Sequence, residues 1–86
     1  MTNKEKIEAL IGDDQEMLFW DGLDDAIIGF CEKTMRCIYS VTKIQEELVK
    51  QGMTEDEAVE FYEYNVACSY IGEKTPILCN DGISYL

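Results

Sequence analysis

Apolar residues recur along this chain with two different periods, and the changes between them divide it into elements. Thr2 and Glu5 have the spacing of a capping box, and Ile7, Leu10 and Ile11 follow at helical spacing until Gly12, which predicts a short helix over residues 3–11. Residues 12–25 carry two glycines and many aspartates, which favour turns. Within them stands the apolar run Met17, Leu18, Phe19, Trp20, which either tucks under the domain or forms a contact surface. Residues 26–31 and 35–40 are short and rich in strand formers, with the polar Glu32, Lys33 and Thr34 between them, the pattern of a β-hairpin. In such a hairpin Cys31 and Cys37 lie nearly opposite each other, or on different faces if the register shifts by one residue.

Ser40 is a good N-cap, and Val41, Ile44, Leu48 and Val49 then form one stripe against the polar Lys43, Glu46, Glu47 and Lys50, a second helix that Gly52 ends. Thr54 and Glu57 make a second capping box, and Glu55, Asp56 and Glu57 put three carboxylates where the helix dipole favours them. The third helix is expected over residues 55–71, with a broad apolar surface that should be largely buried. Phe61, Tyr62, Tyr64 and Tyr70 are read as core, because no basic neighbours accompany them as base-stacking would need. Asn65 shares their face, either as a buried amide serving backbone groups or as a polar contact at a partner surface. Thr75, Pro76, Ile77 and Leu78 can form a short edge strand with Pro76 at its first position, and residues 80–86 read as a tail. The fold expected is a two-layer α+β domain over residues 1–79, a hairpin joined by the C-terminal edge strand and packed on the second and third helices, with a short N-terminal helix.

With 86 residues, 47% of them hydrophobic, the chain can build one core without a metal or crosslinks and has no room for a second domain. The polar start and the absence of any apolar run near the ~18 residues of a membrane span lead us to expect a soluble intracellular protein. In that setting the four cysteines, Cys31, Cys37, Cys68 and Cys79, read as reduced thiols. A four-cysteine zinc site is the alternative, although zinc ligands usually come as close pairs. There is no histidine, which removes Ser-His and Cys-His nucleophiles and the commonest general base. The glycines are isolated, so no phosphate-binding loop forms, and the aspartates lack the alternating order of a calcium loop. No catalytic, cofactor-binding or metal-binding residue is therefore assigned, and the protein is not expected to be an enzyme.

Asp21, Gly22, Leu23, Asp24, Asp25 and Ala26 ahead of the hairpin, Ile38 and Tyr39 before a helix, and the block from Gly52 through Glu57, Ala58, Phe61, Tyr62, Tyr64, Asn65 and Val66 form one pattern. With Tyr70, Ile71, Gly72, Thr75 and Pro76 it resembles a group of small proteins encoded by bacteriophages, over residues 20–78. The resemblance implies a viral origin and a fold, and carries over no catalytic residue. The tail from Leu78 to Leu86 and the four cysteines depart from the pattern of that group.

The balance of 18 Asp and Glu against 7 Lys and Arg, a net charge of -11, argues against direct binding to nucleic acid, whose affinity comes from Lys and Arg. Two stretches concentrate the acids. Between Lys6 and Lys33 no basic residue interrupts Asp13, Asp14, Glu16, Asp21, Asp24 and Asp25, which flank Phe19 and Trp20, and between Lys50 and Lys74 stand Glu55, Asp56, Glu60 and Glu63. If the two stretches share a face, aromatic anchors with a negative rim suit a protein interface. The bland alternative is that Phe19 and Trp20 cap the core while the acids keep the domain soluble. The leading expectation is a phage accessory factor in the host cytoplasm that binds a basic host protein, such as a nuclease or other nucleic-acid-binding defence protein, by offering carboxylates in place of phosphates. A self-associating structural or assembly component of the virus is the alternative, and a metal-binding module a second.

Overall fold

Both capping boxes close, and each sets where a helix begins. Thr2 Oγ1 accepts the Glu5 backbone N–H at 3.2 Å while the Glu5 carboxylate accepts the Thr2 N–H, and Thr54 and Glu57 repeat the arrangement. A computed structural model describes residues 2–12 and 16–82. Helix α1 is Asn3–Ile11, and a single 3₁₀ turn, Asp24–Ala26, leads into strands β1 (Ile27–Cys31) and β2 (Arg36–Ser40). Helix α2 (Val41–Lys50), helix α3 (Glu55–Phe61), a π-helical turn (Tyr62–Val66) and strand β3 (Ile77–Cys79) complete the order.

The hairpin and the C-terminal strand make a mixed sheet in the order β1-β2-β3, with β1 antiparallel and β3 parallel to the central β2. The helices cover it as an α+β domain: α1 lies against β1, and α2 against β2, the 3₁₀ turn and α3. Alternation puts Cys37 and Tyr39 of β2 into the core, where they meet Ile27, Ile44, Leu48 and Ala58. Phe30 pairs with Cys37 and Cys31 with Arg36, so the two cysteines fall on opposite faces of the sheet. All four thiols are free; burial pushes that of Cys37 up to about 11, whereas a hydrogen bond with the Thr34 side chain holds that of Cys31 below its ordinary value. Among the described residues no group of three or more Cys, Asp or Glu is placed to hold a metal ion, and no helix is long and apolar enough to cross a membrane.

The third helix departs from its expected span of residues 55–71. It is α-helical only to Phe61 and then widens into the π turn, where the Ala67 N–H reaches the Tyr62 carbonyl at 2.8 Å. Side chains compete for the carbonyls that a continuing helix would use: Asn65 Nδ2 donates to Phe61 O at 3.2 Å and the Cys68 thiol to Glu63 O at 3.1 Å. The chain then turns back toward the sheet, held by Thr75, whose hydroxyl accepts the Ile71 N–H at 2.8 Å and donates to Gly72 O at 2.6 Å. Arg36 and Lys74 fasten this return to the hairpin through the carbonyls of Thr75 and Thr34. The expected burial of the aromatic residues fails because Ala58, Tyr62 and Val66 take the core-facing side of this segment and the other rings stand away from it. Phe61 is 40% exposed, Tyr64 71% and Tyr70 78%, and only Tyr62 stays packed against the core.

Beyond β3, Asp81 turns back onto α2, whose first turn holds no acid of its own. Its carboxylate accepts the Ser40 hydroxyl at 2.5 Å and the Thr42 N–H at 3.1 Å. Residues 83–86 lie outside the described residues. The Ser40 hydrogen bond holds the Asp81 carboxyl at about 2, below the ordinary carboxylate range. The folded state therefore prefers this group ionised, so its stabilisation is complete above a pH of about 4 and is lost as pH falls toward 2. Melting curves of the wild type and Asp81→Asn should differ at neutral pH and converge on acidification; a constant gap down to the lower limit would refute this role.

Candidate functional site

Helical spacing brings Glu57, Glu60, Phe61 and Tyr64 onto one stripe of α3 and its continuation, at i, i+3, i+4 and i+7. Two of these residues carry carboxylates and two are aromatic, and with Met53 and Asn65 they line a shallow depression of about 330 Å³. Glu57 accepts the Thr54 N–H, which holds its carboxyl below the ordinary value and keeps it charged.

A second depression of about 250 Å³ adjoins the first, because Phe61 and Asn65 line both. Buried Leu23, Leu48 and Val66 contribute its apolar lining, Trp20 and Phe61 its aromatic rings, and Asp21, Gln51 and Asn65 its polar side chains. Trp20 is held from behind: its backbone N–H donates to the Tyr39 hydroxyl at 2.8 Å, and the two rings are 4.8 Å apart. Burial pushes the Tyr39 hydroxyl far above its ordinary value, so it stays protonated. Gly22 turns the loop with φ of +80°, a conformation that favours glycine, and its carbonyl accepts Gln51 Nε2 at 3.2 Å. The loop carrying Trp20 and Asp21 is thereby tied to both β2 and the end of α2.

Compared with known proteins, the chain matches no family model, no curated protein and no solved structure.

Of the residues expected to meet a partner, Trp20, Asp21 and Glu60 come together on this surface. Phe19 does not. It is half-buried against the core, with Lys4 Nζ 5.0 Å above its ring, and so serves as packing. Asp24 and Asp25 open the 3₁₀ turn ahead of β1, and Glu16 is exposed in the segment before the apolar run. Asp13 and Asp14 lie outside the described residues. Glu55 lines a separate groove between α2 and α3 with Glu46, Val49, Lys50 and Val59, where a lysine stands among the acids. Asp56 is exposed on the first turn of α3, and Glu63 is exposed on the π turn. The acids thus divide between two sides of α3, as residues 55 and 60 must when each step turns the helix by roughly 100°. Phe61, Tyr64 and Glu57 belong to the surface although the sequence pattern assigned the aromatic pair to the core; their i, i+3, i+4 spacing with acids was the available signal.

Proposed function

We propose that this chain is a non-enzymatic, bacteriophage-encoded accessory protein that binds a basic host protein through the acid-edged aromatic surface formed by α3 and the Trp20–Asp21 loop. The observation that carries the reading is the exposure of Phe61 and Tyr64 beside Glu57 and Glu60. Exposed aromatic side chains at the centre of a charged rim are the usual anchors of protein interfaces, and a negative rim selects a positive partner. The net charge of -11 supports a different protein over a second copy, because two such copies repel, and over nucleic acid, whose phosphates are repelled as well. A protein whose own basic surface holds nucleic acid, such as a nuclease of host defence, has the matching charge, and the carboxylates would occupy the places of phosphates. The resemblance to small phage proteins supports the host cytoplasm as the meeting place.

Affinity purification from bacterial lysate tests this. The wild type should retain a basic protein at low salt and release it at high salt, and Glu60→Lys and Tyr64→Ala should each weaken retention by roughly tenfold or more. Recovery of no basic protein, or retention unaffected by both variants, would overturn the proposal.

A further inference from the structure

The depression beside Trp20 is too small for an ordinary small-molecule site, which spans roughly 300–1,000 Å³, and at about 250 Å³ it has the size for one long side chain. Its polar groups point to which. Gln51 donates one amide N–H to Gly22 O and Asn65 donates one to Phe61 O, each at 3.2 Å. Each amide keeps one N–H and its carbonyl oxygen for a ligand, and Asp21 adds a carboxylate. The side-chain oxygens of Asp21, Gln51 and Asn65 still outnumber the side-chain N–H groups left, which are the Trp20 indole and one on each amide. The rings of Trp20 and Phe61 suit a flat cation, and buried Leu23, Leu48 and Val66 suit the methylenes behind one.

We infer that this depression, resting on the reading of the surface as partner-binding, receives one arginine side chain of the basic partner. A guanidinium is planar, stacks on aromatic rings and carries five N–H donors in a fixed fork, which matches a carboxylate with two amide oxygens. Lysine supplies the charge without the plane, and a neutral side chain leaves Asp21 unanswered.

Trp20 is the only tryptophan, so its emission reports occupancy directly. The probes are three blocked tripeptides, Gly-Arg-Gly, Gly-Lys-Gly and Gly-citrulline-Gly, titrated into the full chain, with amide NMR shifts followed in parallel. The arginine peptide should give a saturable change with a millimolar Kd, the lysine peptide a severalfold weaker one and the uncharged citrulline peptide one weaker by roughly tenfold or more. Asp21→Asn, an exposed position whose melting temperature should match the wild type, should weaken the arginine peptide by a similar factor. Equal binding of arginine and citrulline peptides, no saturable response to arginine, or an unchanged Kd in Asp21→Asn would overturn the inference. If these titrations fail while Tyr64→Ala still abolishes capture from lysate, the arginine slot falls and the acid-edged surface stands. If the wild type captures no basic protein, that surface loses its proposed role while the peptide titrations still decide the slot.

Discussion

Tyr39→Ala should lower folding stability by about 3–5 kcal/mol, the range for removing a large buried aromatic ring. Tyr39 is wholly buried on the central strand β2, its ring tilted against that of Trp20 and in the core with Ile27 and Ile44. In a domain of this size each kcal/mol moves the melting temperature by roughly 4–8 °C, so this variant should be largely unfolded at moderate temperature. Tyr39→Phe separates ring from hydroxyl. It keeps the packing but strips the Trp20 N–H of its acceptor, which should cost about 1–3 kcal/mol. Denaturant unfolding followed by tryptophan emission measures both, and the Phe variant should also shift native Trp20 emission, because the loop at the candidate site loses its anchor. Wild-type stability together with unchanged emission in Tyr39→Phe would show that the hydroxyl does not hold the loop.

Ile44→Ala should cost about 2–5 kcal/mol, whereas Val49→Ala on the same helix should stay within about 0.5 kcal/mol. Both residues belong to the apolar stripe of α2, yet Ile44 is wholly enclosed between the sheet and α3 while Val49 is 38% exposed on the groove that Glu55 and Lys50 line. The contrast tests depth within one stripe, which periodicity cannot grade. Thermal melts of the two variants would settle it, and similar losses would mean that the groove between α2 and α3 is closed in solution.

What could be read from the chain before folding was whatever depends on neighbours in sequence. The capping boxes at Thr2 and Thr54, the Ser40 cap, the stripe of α2 and the hairpin all act over three or four residues, so the residue types alone carry them. The acidity of the chain and its lack of histidine are of the same kind, being fixed by composition. The candidate site was legible only in part: Trp20, Asp21 and Glu60 were visible as an aromatic with acids, but nothing in their spacing joins residue 20 to residue 60.

Tertiary structure decided the rest, because each remaining feature depends on groups far apart in the chain. The hairpin register put Cys31 and Cys37 on opposite faces, and the parallel pairing of β3 with β2 required the chain to leave the helix after Val66. Phe61 and Tyr64, which helical periodicity alone assigns to the core, are left exposed because Ala58, Tyr62 and Val66 take the core-facing side. Contacts across 41 residues let Asp81 cap α2 through Ser40, and contacts across 19 brought Trp20 to Tyr39 and so to the side of Phe61. Periodicity states which face of an element is apolar; only the packing of the other elements determines whether that face meets the core or a partner.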